Sequence, residues 1–338
     1  MNARSDQPTL LGRRHLLQMM LGAAGLLSLG GCQRGHDSPQ VLAPSGLLPR
    51  LWTGELPHPW RLRTADSGTQ WPQEDRSGVD LLAVADGWLD SLATVPLQSI
   101  AADPLLSQLD QQARRFLAGL GPLGDVLLPV GVSPWVMLLR QDVSPVEAAR
   151  KDGWDVLLNP ALRGHVVLPN SPRFVIDLAD RLPGTEASLQ ALRRQLLTLD
   201  DRQGANWLLK GDARVVVLPL QRCLPLLRRD PRLTAVLPAQ GAPLHWTLLA
   251  RPEATREPLP QRWVRKAWTP PLRGRLLEQG WRAPLSEQVL ARDRAVLPER
   301  WRSLVLPPER IWSRCWSFTP LSSEQRDDLL QRWQASTP

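Results

Sequence analysis

Tyrosine is missing altogether from this 338-residue chain, phenylalanine occurs three times, and lysine is confined to Lys151, Lys210 and Lys266. Without a phenol, tyrosinate ligation of ferric iron and all other phenolate chemistry are excluded. Any aromatic surface must be indole or one of three phenyl rings. The positive charge is therefore arginine: Lys+Arg 41 stand against Asp+Glu 33, a formal net charge of +8. The arginines are scattered among acids and form no basic arm, and no nucleic-acid-binding motif accompanies them, so a nucleic-acid partner is not expected. Catalytic motifs are lacking as well. There is no G-x-S-x-G, no H-E-x-x-H and no glycine-rich phosphate loop. His36, His58, His165 and His245 are too dispersed for a His-rich metal site. His245 and Thr247 stand two apart, which on an extended segment only places them on one face. No catalytic residue, metal or cofactor is expected.

What is present is globular. A hydrophobic fraction of 43% with 22% charged residues allows a sizeable core, and the length suits two domains of roughly 150 residues each. At the start of the chain, Arg13 and Arg14 precede an apolar, uncharged run from Leu16 to Gly30. As a helix this run rises about 22 Å, short of the roughly 30 Å hydrocarbon core of a bilayer, so it reads as a processed export signal and not a permanent span. The arginine pair resembles a twin-arginine signal, and Leu29-Gly30-Gly31-Cys32 resembles the lipobox of bacterial lipoproteins, in which the cysteine is acylated. An ordinary secretory signal with a chance arginine pair and a chance cysteine is the alternative. On the lipoprotein reading, residues 1–31 are the signal peptide, and residues 32–46 are the lipidated N-terminus and a polar tether that follows Cys32. Cys223 and Cys315 remain as mature thiols, paired or free.

Further along, short apolar runs read as strands at Trp60–Arg63, Val79–Ala85, Val126–Pro129, Val136–Arg140, His165–Leu168 and Arg214–Leu218, with amphipathic helices between them. Asp103-Pro104 starts a helix carrying Leu105, Leu109, Ala113, Phe116, Leu117 and Leu120 on one face. Leu189, Leu192, Leu196 and Leu199 mark another. Ser322 and Gln325 form a capping box for a C-terminal helix with Leu329, Leu330 and Trp333 turned inward. This alternation implies an α/β fold with mainly parallel sheets. In such folds ligands sit outside the carboxyl ends of the strands. The candidate ligand-binding residues are therefore Asp86, Gly87 and Trp88; Ser133 and Trp135; Ser171 and Arg173; Gln221 and Arg222; and His245, Trp246 and Thr247.

Five segments, in order, resemble the spermidine/putrescine-binding branch of the solute-binding proteins of bacterial ABC importers. They are Val79 to Leu89, Leu128 to Leu138, Gly153 to Gly164 with the strand to Leu168, Leu209 to Leu218, and Gly280 to Pro284. The resemblance implies the two-lobed architecture of type II periplasmic binding proteins, with each lobe a mainly parallel sheet flanked by helices and hinge crossings near Ser133 and Thr247. It places residues 47–131 in lobe 1 and 132–247 in lobe 2, with 248–338 completing lobe 1 and adding C-terminal helices. It further implies a monomeric, non-enzymatic, periplasmic receptor that holds a small solute and delivers it to an ABC permease in the membrane.

The chain departs from that family where it matters for a polyamine. Buried ammonium groups need carboxylates, yet the family's acidic positions fall on Ser171, Phe174 and Thr247, and only Asp86 is left in a loop facing the cleft. If Arg173 and Arg222 point inward, the ligand is anionic or zwitterionic; if outward, they are solvated. Of Trp88, Trp135 and Trp246, one or two should touch solvent in the cleft. Spermidine and putrescine should therefore bind weakly or not at all, any ligand carrying at most one net positive charge. A fold that has lost its ligand and serves as a structural or interaction lipoprotein of the envelope is the other reading, recognisable by a cleft filled with Trp and Arg side chains.

Overall fold

The computed structural model describes residues 38–66, 76–92, 94–184, 186–200 and 202–337. The signal-peptide expectations, including Arg13, Arg14 and Cys32, lie outside the described residues. Among the described residues no helix is long and apolar enough to cross a membrane.

Among the described residues ten strands make one continuous sheet: β1 (Gln40–Pro44), β2 (Arg61–Ala65), β3 (Leu81–Ala85), β4 (Leu97–Gln98), β5 (Leu127–Arg140), β6 (Val166–Leu168), β7 (Leu196–Leu199), β8 (Val215–Pro219), β9 (Leu233–Val236) and β10 (Leu244–Pro252). Their order is β2-β1-β3-β10-β5-β8-β6-β7, with β4 beside β10 and β9 beside β5. The two flanks are parallel: β2-β1-β3 on one side and β8-β6-β7 on the other. Their inner strands β1, β3, β6 and β8 are buried apolar runs, as strands covered on both faces require, whereas the edge strands β2 and β7 are partly exposed. The antiparallel pairings gather on β5 and β10.

β5 connects the flanks because it is long. Its fourteen residues span about 46 Å at 3.3 Å each. The first half, Leu127–Pro134, pairs with β10, and the second half pairs with β8 from Trp135 and with β9 from Met137. Sequence reading divides this strand into Val126–Pro129 and Val136–Arg140, because Pro129, Gly131 and Pro134 look like breakers. The strand tolerates them for local reasons. A register shift sits in its pairing with β10, and a Cβ on Gly131 would come within 2.1 Å of the Trp281 ring, so a side chain there is replaced by packed indole.

Three other expectations change. Gln40–Pro44, assigned to the tether, is a strand whose Val41, Leu42 and Ala43 are fully buried between β2 and β3. Its polar, Pro-bounded surroundings mask the short apolar run Val41–Ala43. The helix Glu186–Gln195 stops before Leu196 and Leu199, which belong to β7; the run Leu196-Leu197-Thr198-Leu199 is a short apolar edge strand, with Leu196 and Leu199 on opposite faces. The helix begun at Asp103 is two helices, Asp103–Leu106 and Gln111–Gly119, because Asp110 recaps the chain by accepting from the Ala113 N–H at 2.8 Å. The Ser322–Gln325 capping box is formed, and the helix runs Ser323–Ala335. That helix buries no residue fully, and Leu330 is 46% exposed.

Candidate functional site

The strand ends meet where β3, β5 and β10 lie side by side. β3 terminates in a tight turn, Asp86–Trp88, which brings the Asp86 carboxylate back over the crossing. Its side chain is only 6% exposed. Oδ1 accepts the Trp246 backbone N–H at 3.1 Å and lies 3.3 Å from His245 Nδ1. No described group donates to Oδ2. Gly87 is exposed and Trp88 half-buried beside it.

From His245 an aromatic row leads away. The His245 ring meets Trp135 edge-on at 5.9 Å, Trp135 packs on Phe174 at 4.8 Å, and Phe174 meets Phe318 at 6.0 Å. Arg173 lies over Phe318 at 5.1 Å and donates to the Thr319 carbonyl. Burial lowers the Arg173 pKa below the usual guanidinium range, with Asp90, Asp177 and Asp86 acting in the opposite direction. Trp88 and Trp135 thus keep some solvent exposure, while Trp246 is fully buried, stacked on Phe116 at 4.8 Å, with its indole N–H on Ser317 Oγ at 2.8 Å.

Several predicted ligand groups already have structural work. Ser133 is buried, and its Oγ accepts the Gln221 N–H at 3.0 Å, tying the crossing to the helix Leu220–Arg229. Gly280 seals the same corner: its φ is +79°, and a Cβ there would lie 2.9 Å from the Gln221 backbone. Ser171 caps the helix Pro172–Ala179 by accepting the Phe174 N–H at 3.2 Å. Thr247 is 1% exposed, in the ladder between Ala85 and Gly131. Arg222 is exposed and donates to the Arg202 carbonyl at 3.0 Å. The structure brings together Asp86, His245, Trp135 and Arg173, and leaves Arg222 apart from them.

The sequence reading missed the segment that covers this row. After Trp312 the chain crosses the molecule from Asp110 to the helix Pro172–Ala179. Trp316 exchanges backbone hydrogen bonds with Ala242 and Leu244 at 3.1 and 2.7 Å. Its indole donates to Asp177 at 2.6 Å and lies 3.8 Å beneath the Arg181 guanidinium. Phe318 and Thr319 then close over Phe174 and Arg173. The only signal in the sequence is the density of large rings in Trp312, Trp316 and Phe318. Cavities of about 410, 340 and 280 Å³ lie elsewhere, and no predicted ligand residue lines them.

Cys223 and Cys315 are free and buried. Burial pushes their thiols up to about 12 and about 11, so neither is a nucleophile near neutral pH. Among the described residues no three His, Cys, Asp or Glu side chains group to hold a metal ion.

This sheet, with two parallel flanks joined by long antiparallel crossing strands, is the fold of the type II periplasmic binding proteins. Solved structures share it. The spermidine/putrescine ABC transporter substrate-binding protein PotD of Streptococcus pneumoniae superposes with a TM-score of 0.64 at 12% identity, over 89% of this chain and 99% of that one. The TpPotD lipoprotein of Treponema pallidum gives 0.65 at 13%, over 89% and 99%. A periplasmic thiamin-binding protein gives 0.59 at 14%, over 93% and 100%. No family profile matches the sequence, and no curated protein does.

Proposed function

We propose that the protein is an extracytoplasmic solute-binding receptor of an ABC importer, a monomer without catalytic activity, exported by the signal around Arg13-Arg14 and anchored through lipid on Cys32. Residues 38–131, which include the β1 strand that the sequence reading places in the tether, and 248–338 form one lobe and 132–247 the other. They close over a small solute about the changeover in β5 and β10 and hand it to a membrane permease. The observation that carries this reading is the convergence of Asp86, His245, Trp88 and Trp135 on the crossing: a nearly enclosed carboxylate with one unclaimed oxygen, beside half-buried indoles. Such a site suits a ligand with one positive charge and a flat apolar body. Several of the structural neighbours are named for polyamines and one for thiamin. The single carboxylate fits a monocation of the thiamin kind better than a di- or tri-cation, because each further buried ammonium lacks a counter-charge.

Titration calorimetry at low salt with spermidine, putrescine, thiamin and a panel of amino acids tests this. Thiamin or another monocation should bind, and the polyamines weakly or not at all. Sub-micromolar spermidine binding abolished by Asp86→Asn would refute the charge argument.

The second reading, a fold that has given up its ligand, is favoured by one observation. Trp135, Phe174, Phe318 and Arg173 pack against one another where a ligand would lie, under the C-terminal segment. Absence of a response to every solute, in the whole chain and in Phe318→Ala alike, would establish it.

A further inference from the structure

Arg282 lies apart from that cleft, and among the described residues no partner satisfies it. Its backbone is bridged to Val132 by hydrogen bonds of 3.1 and 2.8 Å, which holds the residue rigidly at the outer side of β5. The side chain is 3% exposed and its guanidinium lies 3.8 Å over the Trp312 ring. The nearest carboxylate oxygen, Asp110 Oδ2, is 3.9 Å from Nη2, beyond hydrogen-bond reach. Asp110 is also committed elsewhere, with Oδ1 on the Ala113 N–H at 2.8 Å and Oδ2 on the Trp312 indole at 3.2 Å. No described group accepts from the Arg282 guanidinium, and its Nε is enclosed without a partner. Of the other buried arginines among the described residues, Arg273 is matched by Asp293 and the Trp268 carbonyl, and Arg251, whose Nε is also enclosed, donates through its terminal nitrogens to the carbonyls of Ser99 and Glu257.

Arg282, Asp110 and Trp312 line a cavity of about 280 Å³ together with Arg115, Glu287 and Glu309. Burial lowers the Arg282 pKa to about 10, which leaves the group charged at neutral pH. A buried charge without hydrogen-bond partners is costly. A carboxylate relieves that cost best, because its two oxygens match two parallel N–H groups of the guanidinium fork. Stacking on Trp312 fixes the plane of that fork in advance. The other charges on the lining select among anions: Asp110, Glu287 and Glu309 outnumber Arg114 and Arg115, so besides Arg282 the lining offers no surplus positive charge to hold a dianion.

We propose that this cavity binds a small monocarboxylate, free or as the carboxylate of a zwitterionic amino acid, through the Arg282 guanidinium. The site shares no lining residue with the proposed solute cleft, so it stands or falls separately.

Calorimetry on the whole chain at constant ionic strength, with sodium propionate, propionamide, glycine and inorganic phosphate, tests it. Propionate should bind with a millimolar or tighter Kd, propionamide should not bind, and phosphate should bind at least tenfold more weakly. Arg282→Gln should cost propionate at least tenfold, and Glu309→Gln, at an exposed position on the rim, should tighten it several-fold by removing a like charge. Glycine binding more tightly than propionate assigns the zwitterion; the reverse assigns the free carboxylate. The proposal is overturned if propionate binds no better than propionamide, if phosphate equals it, or if Arg282→Gln keeps wild-type affinity. Should Arg282→Gln fail to fold, unchanged propionate affinity in Glu309→Gln overturns it instead.

Discussion

The loops that follow β3 and β6 occupy equivalent places at the carboxyl ends of the two parallel flanks, yet they use their polar groups differently. After β3, Asp86 gives one oxygen to the crossing and keeps the other unclaimed. After β6, Ser171 is spent on a helix cap and Arg173 on the carbonyl of Thr319, while Phe174 fills the space between Trp135 and Phe318. Chemistry that could meet a solute is therefore concentrated on the β3 side. The β6 side has become packing surface for the C-terminal segment. Two loops at matching positions of one fold need not share a role, and the hydrogen-bond commitments of each side chain decide which role it has.

The largest effect should come from the residue that joins the two sides. Trp246 is fully buried, stacked on Phe116 and hydrogen-bonded to Ser317, so Trp246→Ala should cost about 3–5 kcal/mol of stability by cavity formation and lost contacts. Denaturant unfolding measures it, and a loss below about 1 kcal/mol would mean that the C-terminal segment is not seated on the crossing as described.

Next in size is the contrast itself. Asp86→Asn removes the charge and keeps the shape, so affinity for a monocationic solute should fall at least tenfold, about 1.4 kcal/mol. Ser171→Ala should leave that affinity unchanged and lower stability by about 1 kcal/mol, the usual worth of an N-cap. Measured together by calorimetry and urea unfolding, the pair breaks the comparison if the serine carries the affinity and the aspartate does not.

Much of this arrangement was legible in the sequence, and the reasons for the gaps are specific. Asp86 could be read because a buried strand ending in Asp-Gly-Trp announces its own loop, and the crossing at Ser133 to Trp135 because Leu128 to Leu138 resembles a crossing segment of the polyamine-binding family. β1 was lost to its polar neighbours, and β5 was cut in two by prolines that an antiparallel crossing accommodates. The caps at Ser171 and Asp110, and the covering of the β6 side by Trp316, Phe318 and Thr319, depend on partners more than a hundred residues away or on the local phase of a helix start. Residue type alone told nothing of whether Arg173 or Arg282 would find an acceptor.

The smallest effect concerns how the C-terminal helix Ser323–Ala335 is attached to each side. Toward the second flank it makes Arg332 pairing with Asp180 and lays Trp333 under Arg193 at 3.9 Å, with the Arg193 guanidinium also donating to Ser336. Toward the β3 side its ionic contact is Arg326 with Asp90, at 3.6 Å between side chains that are about half exposed. Water screens such a pair and side-chain entropy opposes it, so exposed ion pairs contribute roughly 0.2–1 kcal/mol. Arg326→Gln should therefore change stability by less than about 0.5 kcal/mol, and the change should vanish in molar salt as the Debye length shrinks to about 3 Å. Trp333→Ala should cost more and be indifferent to salt, because its stacking with Arg193 rests on packing as well as charge. If the order of these two variants were reversed, the helix would be fastened to the β3 side by charge, and the assignment of the β6 side as its packing surface would have to be given up.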